Sequence, residues 1–315
     1  MVKMILRRPA ISRSLVQPLL YLRKAHSTTG ASQDPFTFCR NQVRKHDYDS
    51  FLLHYFYPRR THDAYFALKA FNVELAMVRD VVSKPIIGQM RMQFWRDAVK
   101  SIQEDRPPHH PIAEALYRAS KDSNIPAYHL KRIIDARDRD LFAPTYMSID
   151  NVTDYAEATS STMLYSLLSI LNLSKSDTFS HAASHIGVAS SFVTLLRGLP
   201  FHASKRRMII PADLSSKNGV QEEDVFRSGG SAEGIADAVY DFATVANDHL
   251  ITAREMFKDG GVPEAAMPIF LHAVPTSSYL ESLEKVNFDA FDPRLQQRDW
   301  KLAPRIWWAS RSRRF

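Results

Sequence analysis

The 315-residue chain is poor in cysteine and glycine, and it contains no long apolar run. Its single cysteine, Cys39, excludes an internal disulfide and fits a reducing compartment. Only 10 residues are glycine, well below the usual share of about 7%. The longest apolar stretch, residues 163–173, is interrupted by polar side chains and is shorter than the roughly 18 residues of a membrane span. With 45% hydrophobic and 24% charged residues, the composition is typical of a soluble globular protein built from long helices.

Acidic residues are absent from the first 33 positions, which carry six basic residues. This segment is rich in arginine, serine and leucine and can form a basic amphipathic helix, as mitochondrial presequences do. We therefore expect residues 1–33 to be a cleaved presequence and residues 34–315 to form the domain; a disordered cytosolic tail is the alternative. Removing the six charges from the net charge of +7 leaves 7 − 6 = +1, so we expect no nucleic-acid partner.

Strict two-residue alternation, which would indicate strands, is also missing, and no repeat of about 20–50 residues is found. Apolar residues instead recur at helical spacing from about Phe36 onward. Prolines at 85, 111 and 126 predict three helix starts, while Ser148 or Asp150 and Ser176 or Asp177 can cap two longer helices. The pattern predicts an all-α single domain of ten or more helices.

The stretch from His185 to Leu214 combines an apolar helix face with a basic loop. Gly198 and Pro200 predict that the helix ends at Arg197. The loop that follows carries Lys205, Arg206 and Arg207 without a nearby carboxylate. Such a loop can hold an anion or simply offset the negative end of the helix dipole, and the stretch alone does not decide between the two.

Three further groups have a structural interpretation beside a functional one. His181 and His185 lie one helical turn apart, but Ala182 stands where a zinc protease needs glutamate, and no third ligand is evident. Aspartates and arginines that alternate over residues 132–140 favour a solvated, salt-bridged helix face. The aromatic and basic C-terminus is typical either of an interfacial membrane anchor or of a last helix packed on the domain. Its candidate membrane contacts are Trp307, Trp308, Arg311, Arg313 and Arg314.

Several blocks of the sequence resemble the squalene/phytoene synthase family. They include AYFALKAFNVELAMVRDVV, GQMRMQFWRDAV, IIDARDRDL, YAEATSSTMLY and RRMIIPADL, and together they cover most of residues 50–290. The resemblance implies the isoprenoid synthase fold, an all-α single-domain helical bundle with a central cavity.

Active members of that family carry two aspartate-rich motifs that hold Mg²⁺ against the diphosphates of prenyl substrates. At the matching positions of the first motif the chain has Ala76 and Met77, and only Asp80 remains. At those of the second it has Gly198 and His202. Because Mg²⁺ requires oxygen ligands, the resemblance implies a pseudoenzyme with no catalytic residue, no metal and no cofactor.

The blocks FNVELA, MRMQFW, HAASHIG and FDPRLQQ are similar to mitochondrial members of the family that assemble respiratory complex I. This likeness implies complex I subunits or assembly intermediates as partners, and peripheral contact with the matrix side of the inner membrane. The alternative is a remodelled enzyme or binder that takes a prenylated or other lipid ligand into the residual cavity. Residues that could line such a pocket are Phe71, Asn72, Glu74, Thr194, Arg197, Arg206 and Arg207.

Overall fold

The computed structural model describes residues 34–82, 84–142 and 145–315, which form one unit. These residues contain fifteen α-helices and no strand, so the predicted all-α class is confirmed. The predicted presequence, residues 1–33, lies outside them. The helices are α1 (Pro35–His46), α2 (Tyr48–Leu53), α3 (His62–Val81), α4 (Pro85–Gln103), α5 (Pro111–Asp122), α6 (Ala127–Asp140), α7 (Ile149–Ala156), α8 (Thr162–Ile170), α9 (Asp177–Ser204), α10 (Ala212–Lys217), α11 (Glu222–Ser228), α12 (Ile235–Glu255), α13 (Met267–Phe270), α14 (Ala273–Glu284) and α15 (Leu302–Ser312).

Local sequence signals start many of these helices where they were predicted. Pro85 and Pro111 are the first residues of α4 and α5, where the missing N–H costs no hydrogen bond. The hydroxyl of Ser148 accepts from the backbone N–H of Asn151 at 3.3 Å and caps α7. Ser176 caps α9 in the same way. Each of these helix starts is therefore determined by residues within one turn of it.

The predicted end of the central helix at Arg197 is wrong. α9 continues through Gly198 and Pro200 to Ser204 and is 28 residues long. A proline inside a helix removes one backbone hydrogen bond. The last two turns nevertheless bury Leu199 completely and Ala203 almost completely. The burial of this apolar face offsets the lost hydrogen bond, and the helix continues seven residues, or about two turns, beyond Arg197.

Two residues after the end of α9, the backbone adopts a left-handed conformation at a residue that is not glycine. Arg206 has φ of +56° and its N–H donates to the carbonyl of Ala203 at 2.9 Å. The N–H of Arg207 donates to the carbonyl of His202 at 3.0 Å. Together these bonds form a Schellman motif, which turns the chain back and places Arg207 beside the end of the helix.

The helix predicted to run from residue 148 to about residue 173 is present but contains a π segment. Residues 157–161 adopt π geometry between α7 and α8. At this point the chain lies against Gly187 of α9 so closely that a Cβ on the glycine would meet backbone atoms of Ser161 at 2.4 and 2.5 Å. The hydroxyl of Ser161 donates to the carbonyl of Ser184 at 2.9 Å. Gly187 therefore permits the closest approach of the two helices.

Two hydrophobic clusters form the core, and α9 contributes to both. The first half of α9 contacts α8 and belongs to the same hydrophobic cluster as α1, α3, α4, α5 and α6. Its second half packs with α12 and α14, where the rings of Phe192 and Phe242 stack with centroids 4.5 Å apart. The helix therefore acts as the shared central column of the bundle.

Replacing Gly187 with alanine should destabilise the protein, because the added methyl group meets backbone rather than a movable side chain. We expect a loss of about 1–3 kcal/mol in the free energy of unfolding, measured by denaturant titration. Gly260→Ala is the matched control, since nothing lies within 4 Å of a Cβ there. Equal stability of the two variants would contradict the close helix contact.

Candidate functional site

The C-terminal ends of α3, α6 and α9 meet at one end of the bundle. Arg79 comes from the last turn of α3, Asp140 from the last residue of α6, and Arg207 from the segment that follows α9. Tyr146 comes from the segment after α6. These four side chains form a connected group around the Asp140 carboxylate.

Asp140 is the centre of this group. Its Oδ2 lies 2.8 Å from Nη1 of Arg79, and its Oδ1 accepts from Nη2 of Arg207 at 3.2 Å. The hydroxyl of Tyr146 donates to Oδ1 at 3.0 Å, and Arg79 also donates to the backbone carbonyl of Asp140. Because the Asp140 side chain is only 10% exposed, its charge is stabilised mainly by these donors.

Two arginines of the site retain buried donors that no described residue accepts. These are Nε of Arg207 and Nε of Arg137. Arg137 also donates to the hydroxyl of Tyr155, and its guanidinium carbon lies 5.3 Å from the centre of that ring. Burial raises the pKa of Tyr155, so the phenol is protonated at neutral pH and is not a counter-ion for Arg137.

His202 and Asp80 stand beside these arginines. Burial, together with Arg207 and Arg79, lowers the pKa of His202 to about 4, so its imidazole is neutral at pH 7. Burial raises the pKa of Asp80. Four nearby cations oppose this shift, namely Arg207, Arg79, Arg137 and Lys205. Asp80 as a whole is exposed, although its carboxyl group is partly desolvated.

The charged side chains at this end of the bundle have a net positive charge. Arg79, Arg137, Lys205 and Arg207 contribute +4 and Asp80 and Asp140 contribute −2, which gives 4 − 2 = +2. We call these six residues the basic centre. An anion is therefore favoured there over a divalent cation.

The motif positions predicted from the resemblance lie on the two helices that frame the basic centre. Ala76 and Met77 are half-buried in the turn of α3 before Asp80. His202 folds back over Gly198, where a Cβ would lie 3.1 Å from the imidazole ring. Asp80 and His202 are thus brought to the same group of arginines, and the side chains of Ala76, Met77 and Gly198 contain no oxygen that could bind Mg²⁺.

The residues predicted to line a residual pocket are more scattered. Phe71 is fully buried, with its ring edge-on to Trp95 at a centroid distance of 5.3 Å. Arg197 pairs instead with Asp49, its Nη1 3.0 Å from the carboxylate oxygen. Arg207 is the one member of the predicted set that enters the basic centre.

The other predicted pocket residues have local partners or environments. Thr194 donates to the carbonyl of Ser190 in its own helix, and Arg206 is exposed and pairs with Glu223. Asn72 and Glu74 are half-buried on α3. Burial raises the pKa of Glu74, and Arg91 opposes the shift. The pocket assignment itself stays a prediction.

Sequence reasoning missed Arg79, Arg137 and Asp140 as site residues. The solvated-face interpretation suits Asp135, which is 55% exposed beside Arg96, but not Asp140 at the buried end of the same helix. The available signal was Arg79, which directly precedes the one retained motif aspartate. Its significance depends on the approach of α6, which residue spacing does not reveal.

A cleft of about 690 Å³ lies elsewhere, near the N-terminal end of α3. Its lining includes His62 and Phe66 from the first turns of α3, together with Arg40 and Arg59. α3 has 20 residues and spans about 30 Å. The cleft is therefore far from Asp80 and does not correspond to a pocket between the two motif helices.

The paired histidines of α9 acquire a third neighbour in the structure. Nε2 of His185 lies 3.3 Å from Nε2 of His181, and its Nδ1 lies 2.7 Å from Nδ1 of His249. The two neighbours therefore use opposite nitrogens of the His185 ring. Within the described part of the chain, no group of three or more such side chains is arranged to hold a metal ion.

α15 presents its aromatic side chains to solvent. Trp307 and Trp308 are 57% and 67% exposed, while Ile306 on the opposite face is fully buried. Arg311, Arg313 and Arg314 are all exposed. Among the described residues, none of the helices is both long and apolar enough to cross a membrane.

Comparisons with known proteins agree with this architecture. The family model for squalene/phytoene synthase matches residues 43–303. The chain is 42% identical over 266 residues to the rat (Rattus norvegicus) NADH dehydrogenase (ubiquinone) complex I, assembly factor 6, which covers 84% of this chain and 79% of the relative. It is 34% identical over 289 residues to the homologue of that factor in Drosophila melanogaster, covering 88% and 84% of the two chains. The crystal structure of squalene synthase HpnC from Alicyclobacillus acidocaldarius superimposes with a TM-score of 0.70 at 16% identity, over 82% of this chain and 95% of that one.

Replacing Asp140 with asparagine should leave Arg79 and Arg207 close together without their shared carboxylate. Breaking such a buried ion pair costs about 3–5 kcal/mol in the free energy of unfolding. Asp135→Asn is the control, because this exposed carboxylate should change stability by less than about 0.5 kcal/mol. Added sulfate should stabilise Asp140→Asn more than the unaltered protein, and equal responses would contradict the role of Asp140 as internal counter-ion.

The neutral His202 should make the protein less stable as the solution becomes acidic. Between pH 6.5 and about 4 the unfolded chain binds a proton at this histidine that the folded protein does not, so stability rises with pH across this window. We expect His202→Gln to flatten the slope of unfolding free energy against pH, by on the order of 1–2 kcal/mol over the window after allowing for partial exposure. The exposed His109→Gln serves as control, and equal slopes for all three proteins would contradict the prediction.

Proposed function

Because the chain belongs to the squalene/phytoene synthase family and matches complex I assembly factors along most of its length, we propose that it is a non-catalytic assembly factor for mitochondrial respiratory complex I. The observation that carries the proposal is the 42% identity to the rat factor over 84% of the chain. Its partners are then complex I subunits or assembly intermediates. The synthase fold supplies the scaffold on which they are bound.

The composition of the basic centre supports the non-catalytic part of this proposal. Ionisation of an allylic diphosphate requires cations to stabilise the departing anion, and Mg²⁺ is held for that purpose by oxygen ligands. Ala76, Met77 and Gly198 carry no side-chain oxygen, and His202 is a poor ligand for so hard a cation. The Asp140 carboxylate already binds two arginines. We therefore assign no catalytic residue, metal or cofactor to the site.

Mitochondrial location follows from the same proposal. The acid-free, arginine-rich residues 1–33 suit an import signal. We place the domain on the matrix side of the inner membrane, attached peripherally. The exposed Trp307 and Trp308, with Arg311, Arg313 and Arg314, support a contact of α15 with the bilayer interface.

A second candidate function is a remodelled enzyme or binder for a prenylated or other lipid ligand. The buried, unpaired Nε atoms of Arg137 and Arg207 favour it, since they could donate to an anionic head group. Turnover of prenyl diphosphates in the presence of Mg²⁺, or a prenylated ligand that co-purifies with the protein, would support this candidate over the first.

Cells that lack the protein should contain less assembled complex I and fewer membrane-arm intermediates, measured by native gel electrophoresis. Re-expression of the unaltered chain should restore both. Asp80→Asn should restore them equally well, because the only retained motif carboxylate has no catalytic task under this proposal. Normal complex I in the deletion cells would overturn the assembly role. Failure of Asp80→Asn at normal protein abundance would overturn the non-catalytic assignment.

A further inference from the structure

One end of the bundle carries an unusual concentration of exposed apolar side chains. Of the fifteen large hydrophobic side chains that are exposed in the described residues, seven lie where α3, α6 and α9 end and α4 begins, and their exposure ranges from 39% to 68%. Exposed apolar groups scattered singly are normal, but their concentration at one place indicates a contact surface. We call this set the collar; its members are Val81, Ile86, Ile87, Met90, Phe142, Met147 and Phe201.

Contacts between the helix ends place the collar around the basic centre. Gly88 of α4 lies directly against the side chain of Leu141, so the first turn of α4 adjoins the residue before Phe142. The N–H of Ala212 donates to the carbonyl of Tyr146 at 2.9 Å, which fixes the segment that bears Met147. The ring of Phe201 lies 5.4 Å from that of His202. Exposed apolar side chains thus lie next to a group of net charge +2.

We propose that the collar and the basic centre together dock on the surface of an anionic phospholipid bilayer. Apolar side chains around cationic ones match the two layers of a membrane interface, the acyl chains and the phosphate head groups. The exposed Lys205 and the half-buried Arg79 and Arg207 bring cationic groups to this surface, where they can attract phosphate head groups. This inference rests on the peripheral attachment in the proposed function, and it assigns that attachment to a surface other than α15.

The collar is separate from α15 in the structure. α15 packs on α14, with Arg305 bonded to Ser278 and Glu281. The chain then ends with Phe315 stacked on Phe270, beside the start of α9 rather than its end. α9 has 28 residues and is about 40 Å long, so one assay can distinguish the two surfaces.

A second copy of the chain is a poorer occupant of the collar. In a dimer formed through the collar, two basic centres of net charge +2 would face each other. Like charges at an interface oppose association. An anionic bilayer meets the same surface with the opposite charge. Charge complementarity therefore selects the bilayer.

The native cysteine makes a local test practical. Cys39 is fully buried and burial raises the pKa of its thiol to about 12, so an introduced exposed cysteine should be labelled selectively. The full chain is prepared with Met90→Cys or Met147→Cys in the collar, or with Ile251→Cys on α12 as control, and each is labelled with an environment-sensitive fluorophore. The vesicles are phosphatidylcholine with or without cardiolipin, and they carry brominated acyl chains as quenchers.

The collar probes should shift to shorter wavelength and be quenched on the cardiolipin vesicles, while the Ile251→Cys probe should be unaffected. This comparison is independent of any binding by the basic residues 1–33, because each probe reports its own position. Quenching of the control alone, or of none of the probes while the protein sediments with the vesicles, would overturn the proposal. Equal quenching without cardiolipin would overturn its anionic part.

Affinity provides the second measurement. Ile87→Asp with Met90→Asp should weaken binding to cardiolipin vesicles by about tenfold or more, since it places carboxylates in the interface. Tyr240→Asp with Ile251→Asp is the matched control and should bind normally. If Trp307→Ala with Trp308→Ala abolishes binding while the collar variant binds normally, α15 carries the attachment and the collar proposal fails.

Inorganic phosphate separates a head-group site from a site for the free ion. If phosphate protects the protein against thermal unfolding but the collar probes stay silent on vesicles, the basic centre binds the free ion and the bilayer proposal fails. Neither result bears on the assembly role, which is tested separately by the complex I content of deletion cells. Failure of one proposal therefore remains distinguishable from failure of the other.

Discussion

The carboxylate of Asp140 is the interaction on which the functional end of this protein depends. It joins the last turn of α3, the last turn of α6 and the segment after α9 through two arginines and a tyrosine. Three elements distant in sequence are thus held together by one buried charge. Without it the arginines would repel each other in a poorly solvated space, and the helix ends would lose their common anchor.

The same interaction supports the proposal that this synthase fold is non-catalytic. A metal-dependent diphosphate site needs carboxylates directed at cations. Here the arginines outnumber the carboxylates, and Asp140 is occupied as their internal counter-ion. His202, held neutral by burial and by Arg207 and Arg79, adds no charge of its own. Such a centre has an electrostatic preference opposite to that of a magnesium site, which is consistent with the proposed role in assembly.

Packing in the core is a second constraint on the fold. α9 serves both hydrophobic clusters, and the close approach at Gly187 and the π segment fixes its position. Phe71 is fully buried and packs against Trp95 with the rings edge-on. The two clusters extend to the helix ends at Val78, Leu141 and Ala203, so the core also supports the basic centre.

Much of the secondary structure could be predicted from the sequence, because its causes are local. Pro85 and Pro111 start their helices, Ser148 and Ser176 cap theirs, and the helical spacing of apolar residues gives the all-α class. The end of α9 was mispredicted, since the burial of Leu199 and Ala203 overrides the signal of Gly198 and Pro200 and depends on neighbours from other helices. The sequence also shows that positions 76, 77, 198 and 202 carry no carboxylate, and the resemblance to the family predicts that these are motif positions. Only the tertiary structure shows what stands in their place, because the meeting of Arg79, Asp140 and Arg207 depends on how three helix ends pack, and spacing along the chain does not encode that distance.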